Sequence, residues 1–487
     1  MLKIFGLPVS KWKFVLLAGD TGAYCASALA ALYLNPKVEA EAVDFLLQHW
    51  GSFSLMWLTY LVVLFIADLY DYQQDYRRWR HIAQVFLAVL IGTLVIIVLF
   101  YFPLGPFIGR TQLIIQTWIL TCLLILWRYT FSAIALPERL KRHLAIVGAG
   151  ASGQRLLEAL QKRPKSGLVP VGFVDDDPEK TGTDIEGLPV LGDSSQLSEI
   201  IRRHNLGIVV LAITHEKSPQ LVNTLTKLSW NGCQLMDMLS LYEFITGKIP
   251  IEHIPNFWLL LHSLQTSKIY YRHLKRLVDL GLAIIGLALT VPLFPIIALA
   301  IKLNSPGQVF FRQDRLGQNG KPFQIVKFRT MFQDAEHAGP QWASENDPRI
   351  TYVGRILRKL RLDELPQLIN IVKGDMSFIG PRPERECYIR DFQEEVPDWR
   401  PGRRDKDPPG LEVICGFKEK LPYYSYRLMV KPGITGWAQV MYPYAASLEQ
   451  TQEKLKYDLF YIKNMSLFLD LAILLKTVRI VLFGRGT

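Results

Sequence analysis

Leu280–Ile301 reads LGLAIIGLALTVPLFPIIALAI, 22 residues without a charge and with Pro292 and Pro295 at its centre. A run of this length can cross a bilayer, which takes about 20 apolar residues. Its flanks are basic on both sides: Lys275 and Arg276 precede it, and Lys302, Arg312 and Arg315 follow it. A crossing helix would strand one basic cluster on the outer face, whereas Lys and Arg collect on the cytoplasmic side. Two prolines three residues apart remove amide donors and favour a sharp bend. Both signals fit a helix–break–helix over 277–301 that enters and leaves on one face, a re-entrant segment rather than a plain fifth span. Everything after it then stays on the cytoplasmic side.

Four more apolar stretches lie upstream: Phe14–Leu34, Phe45–Ala67, Ile82–Ile108 and Thr111–Leu136. The last contains Arg128 near one end, where a long side chain is expected to snorkel to the membrane surface. Lys3, Lys11 and Lys13 precede the first stretch, Arg77, Arg78 and Arg80 separate the second from the third, and Arg139, Lys141 and Arg142 follow the fourth. Glu39, Glu41 and Asp44 mark an acidic loop. Residues 1–142 therefore read as four transmembrane helices with both ends cytoplasmic. No short apolar run is followed by a small-residue cleavage site, so no removable signal peptide is expected.

Between the two membrane regions, residues 143–261 are soluble in character. The apolar strand His143-Leu-Ala-Ile-Val-Gly leads into Gly148-Ala-Gly-Ala-Ser-Gly153 and then a helical stretch to Leu160. Val171–Asp175 and Ile208–Ile213 read as further strands. Strand, glycine turn, helix, strand predicts a Rossmann-like α/β domain. Gly148, Gly150 and Gly153 form a turn that can hold a pyrophosphate at a helix N-terminus, and Asp175 sits where a ribose-binding acid is expected. The same pattern also occurs in domains that keep the fold without the ligand. Tyr271-x-x-x-Lys275 has the spacing of a short-chain dehydrogenase pair, but it lies outside any Rossmann pattern and reads as a snorkelling flank.

Composition bounds the rest. The chain has 487 residues, 50% hydrophobic and 20% charged, with a mean hydropathy of +0.16. This excludes a disordered or collagen-like chain. Five cysteines without a CxxC pair argue against a disulfide scaffold or a zinc site. The formal net charge is +11, and most of the excess falls after residue 271. That distribution suits phosphate-rich ligands or an anionic membrane surface. No nucleic-acid module is present, so no nucleic acid is expected as a partner.

The chemistry concentrates in residues 349–385. Arg349, Arg355, Arg358, Lys359 and Arg361 lead into Leu362-Asp363-Glu364-Leu-Pro-Gln, and Gly380-Pro-Arg382-Pro383 follows. Nearby cations lower carboxyl pKa values, so Asp363 and Glu364 are both expected to stay ionised. Pro366 can open a helix just beyond them. An ionised Asp can attack phosphorus, its neighbour can hold a divalent cation, and Arg382 between two prolines can grip phosphate. The plainer reading of the same residues is a solvated acid–base patch ahead of a capped helix.

The ordered motifs KRLVDL (275–280), VFFRQDRLG (309–317), KFRTM (327–331), RLDELPQLINIVKGDMSFIGPRPE (361–384), KPGITGWAQV (431–440) and YDLFYIKNMSLFLDLAILLKT (457–477) cover nearly the whole last third. In them residues 272–487 resemble the bacterial sugar transferase family, the monotopic phosphoglycosyl transferases. With the spans and the middle domain, the chain resembles that family's large members, which act on undecaprenyl phosphate with glucose or galactose. The resemblance implies a multi-domain α/β membrane protein: a four-helix transmembrane bundle, a Rossmann-like domain of the CoA-binding kind, and a mixed α/β catalytic domain with a re-entrant helix. It implies transfer of hexose-1-phosphate from a UDP-hexose to undecaprenyl phosphate with release of UMP, the first membrane step of exopolysaccharide, O-antigen or capsule synthesis. Asp363 would be the nucleophile and Glu364 the Mg²⁺ ligand, while Arg358, Arg382, Lys327 and Arg329 would bind substrate phosphate. The implied partners are a UDP-sugar, undecaprenyl phosphate and membrane lipid, with a homodimer allowed. The implied location is the bacterial cytoplasmic membrane, multi-pass, with the catalytic domain on its cytoplasmic face.

Two departures stand against the small family members. Val291-Pro292 occupies the place of their Ser-Pro bend, and the stretch 385–425 is longer and carries no assignable pattern. Two other classes remain open from the sequence. A membrane-anchored nucleotide-sugar epimerase or dehydratase would need a second glycine fingerprint, which 272–487 does not offer. A nucleotide-sensing adaptor for polysaccharide export would use the last third as a docking platform.

Overall fold

The computed structural model describes residues 2–4, 7–9, 11–36, 42–70, 76, 79–101, 109–134, 141–213, 219–230, 233–251, 268–333, 335, 347–384, 423–442 and 448–483. They fall into two compact units, Met1–Thr246 and Gly247–Thr487. The Pro- and Gly-rich 397–410 and most of 385–425 lie outside the described residues.

The first unit opens with an antiparallel pair, β1 (Leu2–Ile4) and β2 (Leu7–Val9), followed by helices α1 (Lys11–Tyr33), α2 (Ala42–Gln48), α3 (Trp50–Ile66), α4 (Trp79–Tyr101) and α5 (Arg110–Ile134). Helices α1, α4 and α5 are each long and apolar enough to cross a membrane. The expected second span is broken: α2 and α3 meet at 76°. His49 lies at the junction with non-helical torsions. Its ring stacks on Phe45 at 4.2 Å, and its Nδ1 pairs with the Phe45 carbonyl at 3.0 Å. A polar side chain that bonds the preceding turn offers the backbone an alternative to continuing the helix.

Arg128 does not snorkel. Its side chain is 1% exposed and forms an ion pair of 2.6 Å with Asp20. It also donates to the Leu69 carbonyl, and its guanidinium lies 5.5 Å from the Tyr70 ring centre and 5.1 Å from that of Tyr76. A charge among apolar helices is tolerated when it is paired and hydrogen-bonded. Asp20, one residue in the middle of α1, supplies the pairing that the sequence reading of α5 left out.

The α/β part of this unit has a four-stranded parallel sheet of order β4-β3-β7-β8, formed by β3 (Arg142–Val147), β4 (Leu168–Val174), β7 (Ile208–Leu211) and β8 (Gln234–Asp237). A small hairpin, β5 (Asp184–Ile185) and β6 (Leu188–Pro189), sits between β4 and β7 in sequence. Helices α6 (Ala151–Gln161), α7 (Leu197–Arg203), α8 (Pro219–Trp230) and α9 (Met238–Thr246) complete it. Leu144, Ala145 and Ile146 are fully buried, as parallel strands covered on both faces require. This is the Rossmann-like domain the glycine turn predicts.

The second unit begins with α10 (Lys268–Thr290), a 3₁₀ turn at Val291–Leu293, and α11 (Phe294–Asn304). The break falls on the two prolines, where amide donors are missing. By length and composition Tyr271–Asn304 is apolar enough to cross a membrane. The antiparallel hairpin β9 (Phe310–Leu316) and β10 (Pro322–Phe328) follows, then α12 (Tyr352–Lys359), α13 (Gln367–Lys373) and β11 (Ser377–Ile379). Strand β12 (Gly433–Thr435) pairs parallel with β11. Helices α14 (Trp437–Met441), α15 (Leu448–Asn464) and α16 (Leu467–Phe483) close the chain.

Both arms of the apolar segment pack on this α/β core. Ala283 of α10 joins Ile325, Leu368, Ile371 and Met376, while Ile297 and Ile301 of α11 join Phe328 and Leu357. Tyr271 and Lys275 are not a free flank. The hydroxyl and the ammonium each donate to Asp470 Oδ2 at 2.8 Å, tying α10 to α16.

Candidate active site

The Asp363-Glu364 pair sits in a single 3₁₀ turn, Leu362–Glu364, between α12 and α13. Arg361 enters it in the left-handed region at φ 57°, ψ 19°. A non-glycine residue held there costs free energy of order 1 kcal/mol and persists only where its surroundings fix it. The helices on either side provide that fixing. Thr351 caps α12 by accepting from the Gly354 amide at 3.0 Å. Gly354 lies so close to β10's end that a Cβ there would sit 2.0 Å from the Thr330 carbonyl oxygen. On the other side Asn370 of α13 donates to the Gln324 carbonyl at 2.7 Å and accepts from the Val326 amide at 3.2 Å. Asn370 thereby acts as a substitute strand partner and sets α13, with the turn before it, against β10.

That register brings Lys327 of β10 to Glu364, Nζ to Oε1 at 3.2 Å. Arg382 reaches the same oxygen at 3.7 Å. Arg358 donates from Nε to the Thr330 hydroxyl at 2.8 Å, and its charge acts on Asp363. The dyad, Lys327, Arg358 and Arg382 thus belong to one cluster. Arg329 lies against Ser305 and Pro306. Its Nη1 donates to the Pro306 carbonyl and its Nη2 to the carbonyl and hydroxyl of Ser305, at 2.7 to 2.9 Å. Both terminal nitrogens hold the end of α11, while its Nε is buried without a hydrogen-bond partner among the described residues.

The two carboxylates differ, contrary to the expectation that the nearby cations lower both pKa values. For Asp363, burial and the adjacent Glu364 charge outweigh Lys327, Arg358 and Arg361, and push its pKa up. Its Oδ1 is buried without a hydrogen-bond partner among the described residues. Burial also works against ionised Glu364, but Lys327, Arg382 and Arg361 overcome it and hold that carboxyl below the usual range. Burial pushes the Lys327 ammonium down from the usual lysine value. An under-solvated carboxylate beside a fixed anion and several cations is a reactive arrangement: one member can attack, while the other remains charged. Among the described residues, no three His, Cys, Asp or Glu side chains converge on a metal position. A magnesium ion bound mainly through water and substrate phosphates needs only one or two protein carboxylates, and ionised Glu364 with the orphaned Asp363 oxygen fits that demand.

The glycine turn of the first unit is a separate candidate. Gly148 has φ +105°, and a Cβ on Gly153 would lie 2.1 Å from the Gly148 carbonyl oxygen, so both glycines are required by the backbone. Asp175 faces the turn. Its Oδ2 accepts from the Ala149 amide at 2.7 Å, and Lys180 lies 3.6 Å from its Oδ1. The carboxylate thus takes an amide that the turn would offer a pyrophosphate.

Sequence reasoning missed Thr330, which holds Arg358, and Arg427, which binds the Arg382 carbonyl at 3.3 Å. Arg427 is 45 residues from Arg382, and nothing local in the sequence marks it.

Comparison with known proteins agrees with the geometry. A bacterial sugar transferase model matches residues 270–484, and a CoA-binding domain model matches residues 65–236. The chain is 43% identical over 244 residues to the UDP-N-acetylgalactosamine-undecaprenyl-phosphate N-acetylgalactosaminephosphotransferase of Aeromonas hydrophila, a match that spans 50% of this chain and 51% of that protein. It is 46% identical over 139 residues, 28% of this chain and 78% of the relative, to a putative undecaprenyl-phosphate N-acetylgalactosaminyl 1-phosphate transferase of Bacillus subtilis. The UDP-glucose:undecaprenyl-phosphate glucose-1-phosphate transferase of Escherichia coli is 30% identical over 460 residues, 90% of each chain. With a relative matched along nearly its whole length and the catalytic pattern intact, the chain belongs to the bacterial sugar transferase family.

Proposed function

We propose that this membrane protein transfers a sugar-1-phosphate from a UDP-sugar to undecaprenyl phosphate through an aspartyl intermediate on Asp363. The single observation that carries the reading is the buried Asp363-Glu364 turn facing Lys327 and Arg382. An Asp363 carboxylate oxygen attacks the sugar-bearing phosphorus. The bond from that phosphorus to the bridging oxygen breaks, and UMP leaves with the electron pair. The phosphate of undecaprenyl phosphate then attacks the same phosphorus, the acyl phosphate bond breaks, and the Asp363 carboxylate is restored. Splitting the transfer in this way lets one site serve a soluble and a lipid substrate in turn. Lys327, Arg358 and Arg382 offset the phosphate charge that would repel an incoming carboxylate. Glu364 would hold Mg²⁺ by one carboxylate. A bound magnesium ion supplies charge neutralisation at the diphosphate.

Relatives named for N-acetylgalactosamine share more identity over their shorter matches than the Escherichia coli glucose transferase does over 90% of its length. The expected sugar is therefore widened from glucose and galactose to include N-acetylated hexoses. Radiolabel transfer from a panel of UDP-glucose, UDP-galactose and UDP-N-acetylhexosamines to polyprenyl phosphate tests the reading. A full-length, folded protein that releases no UMP from any of them would overturn it.

The proposed topology is multi-pass in the bacterial cytoplasmic membrane, with residues 280–301 re-entrant and the site on the cytoplasmic face. What supports re-entry is that both ends of the segment are bound by one α/β core. Before it, Arg276 donates to the carbonyls of Ile371 and Val372, and Asp279 accepts from the Phe378 amide. After it, Asn304 accepts from the Val353 amide and Arg329 binds Ser305. A polar core cannot hold both ends from opposite sides of about 30 Å of hydrocarbon. Cysteines placed at positions 270 and 305 should both resist an impermeant thiol reagent in intact cells. Labelling of either from outside would mean a true crossing. Replacing Pro292 and Pro295 by leucine should shift the segment toward that crossing state.

A further inference from the structure

We propose that Arg427 is a positioning residue for Arg382, fixing the backbone from which Arg382 reaches the reacting phosphate. The inference rests on the reading of Arg382 as a phosphate ligand. Arg427 lies in a 3₁₀ helix, Tyr424–Met429, and is 6% exposed. Its Nη1 donates to the Tyr424 hydroxyl at 2.7 Å and to Glu384 Oε1 at 3.1 Å. Its Nη2 donates to the Arg382 carbonyl at 3.3 Å. Its Nε lies 2.8 Å from Asp458 Oδ2 on α15.

The next two carbonyls are held as well. Arg315 donates to the Pro383 carbonyl at 3.1 Å, and the Leu316 amide donates to the Glu384 carbonyl at 3.0 Å. Three consecutive peptide groups are therefore fastened by β9 and the 3₁₀ helix. Arg382 itself is 39% exposed on its side chain and ends 3.7 Å from Glu364. A long, partly exposed side chain has many rotamers, so its aim depends on where its backbone is held. A guanidinium suits these partners because its rigid planar fork can bond Tyr424, Glu384 and the Arg382 carbonyl while its charge faces Asp458. Lysine keeps the charge facing Glu384 and Asp458 but lacks the planar fork whose second terminal nitrogen reaches the Arg382 carbonyl.

A purely structural hub would cost stability wherever it is cut and would act independently of Arg382. A positioning role makes the two arginines non-additive. The experiment uses full-length protein in detergent with magnesium present, and reads UDP affinity together with melting temperature. Arg382→Ala and Arg427→Lys are each expected to weaken UDP binding by about tenfold, and the double variant to bind no more weakly than Arg382→Ala. Tyr424→Phe removes one acceptor of Arg427 and keeps the ring. It should weaken binding by about threefold in the wild-type background and not at all beside Arg382→Ala, which measures the same coupling if Arg427→Lys does not fold. Losses that multiply, or single variants that bind like the wild type, would overturn the proposal. UDP binding needs no turnover. A wild-type chain that binds UDP yet transfers no sugar phosphate sinks the reaction reading and still lets the coupling decide Arg427. A wild-type chain without UDP affinity sinks the positioning proposal, since Arg382 would then have no phosphate to meet.

Discussion

Asp363→Asn is expected to abolish sugar-1-phosphate transfer, by at least about a thousandfold, because an amide cannot form the acyl phosphate. The substitution is nearly isosteric and removes a charge that the fold opposes. Burial and the neighbouring Glu364 raise the Asp363 pKa above 3.8. A carboxyl that binds its proton more tightly folded than unfolded costs stability wherever it is ionised. That cost falls away as the pH drops through the folded pKa toward the unfolded one. Asp363→Asn should therefore melt no lower than the wild type at neutral pH, and any advantage should shrink as the pH falls. The same shift sets the acid limb of activity: the nucleophile is lost below its folded pKa, at a higher pH than an ordinary aspartate would give. UMP release, a phosphosugar mass adduct on the wild type, and melting curves across pH measure all three. Residual transfer within a few-fold of wild type, or an adduct on another residue, would remove Asp363 as nucleophile.

What the sequence made legible was carried by short-range patterns. The parallel strands, the β9–β10 turn and the apolar helices all follow from hydrophobic runs and glycine or proline punctuation within about 20 residues. The dyad and its basic neighbours were also local, within residues 349–385. Features set by distant contacts were not legible. Arg128 reads as a snorkelling side chain until Asp20, 108 residues away, is placed beside it. Arg329 looks like its motif neighbour Lys327, yet the structure turns one toward Ser305 and the other toward Glu364. Charge counting predicted two ionised carboxylates. It missed the burial of the 3₁₀ turn, which opposes ionisation of both, so that the net pKa shift is upward at Asp363 and downward only at Glu364.

Lys327→Met is expected to be the most disruptive change that leaves the nucleophile in place. Methionine keeps much of the unbranched stem that β10 packs, so the main loss is the charge 3.2 Å from Glu364. Lys327 is the largest influence opposing the burial penalty on that carboxylate. Without it, the Glu364 pKa rises and a buried anion is left with Arg382 and Arg361. Removing one partner of a buried ion pair costs about 3–5 kcal/mol, and transfer should fall by at least about a hundredfold as the fixed anion and the cation facing phosphate are both compromised. A second substitution separates charge from packing. Adding Glu364→Gln to Lys327→Met removes the stranded carboxylate, so the double variant should regain part of the lost melting temperature without regaining transfer. A double variant that melts below Lys327→Met would show that the pair is not held together by its charges. A Lys327→Met protein that transfers at the wild-type rate would mean that Glu364 needs no cation from β10 to work.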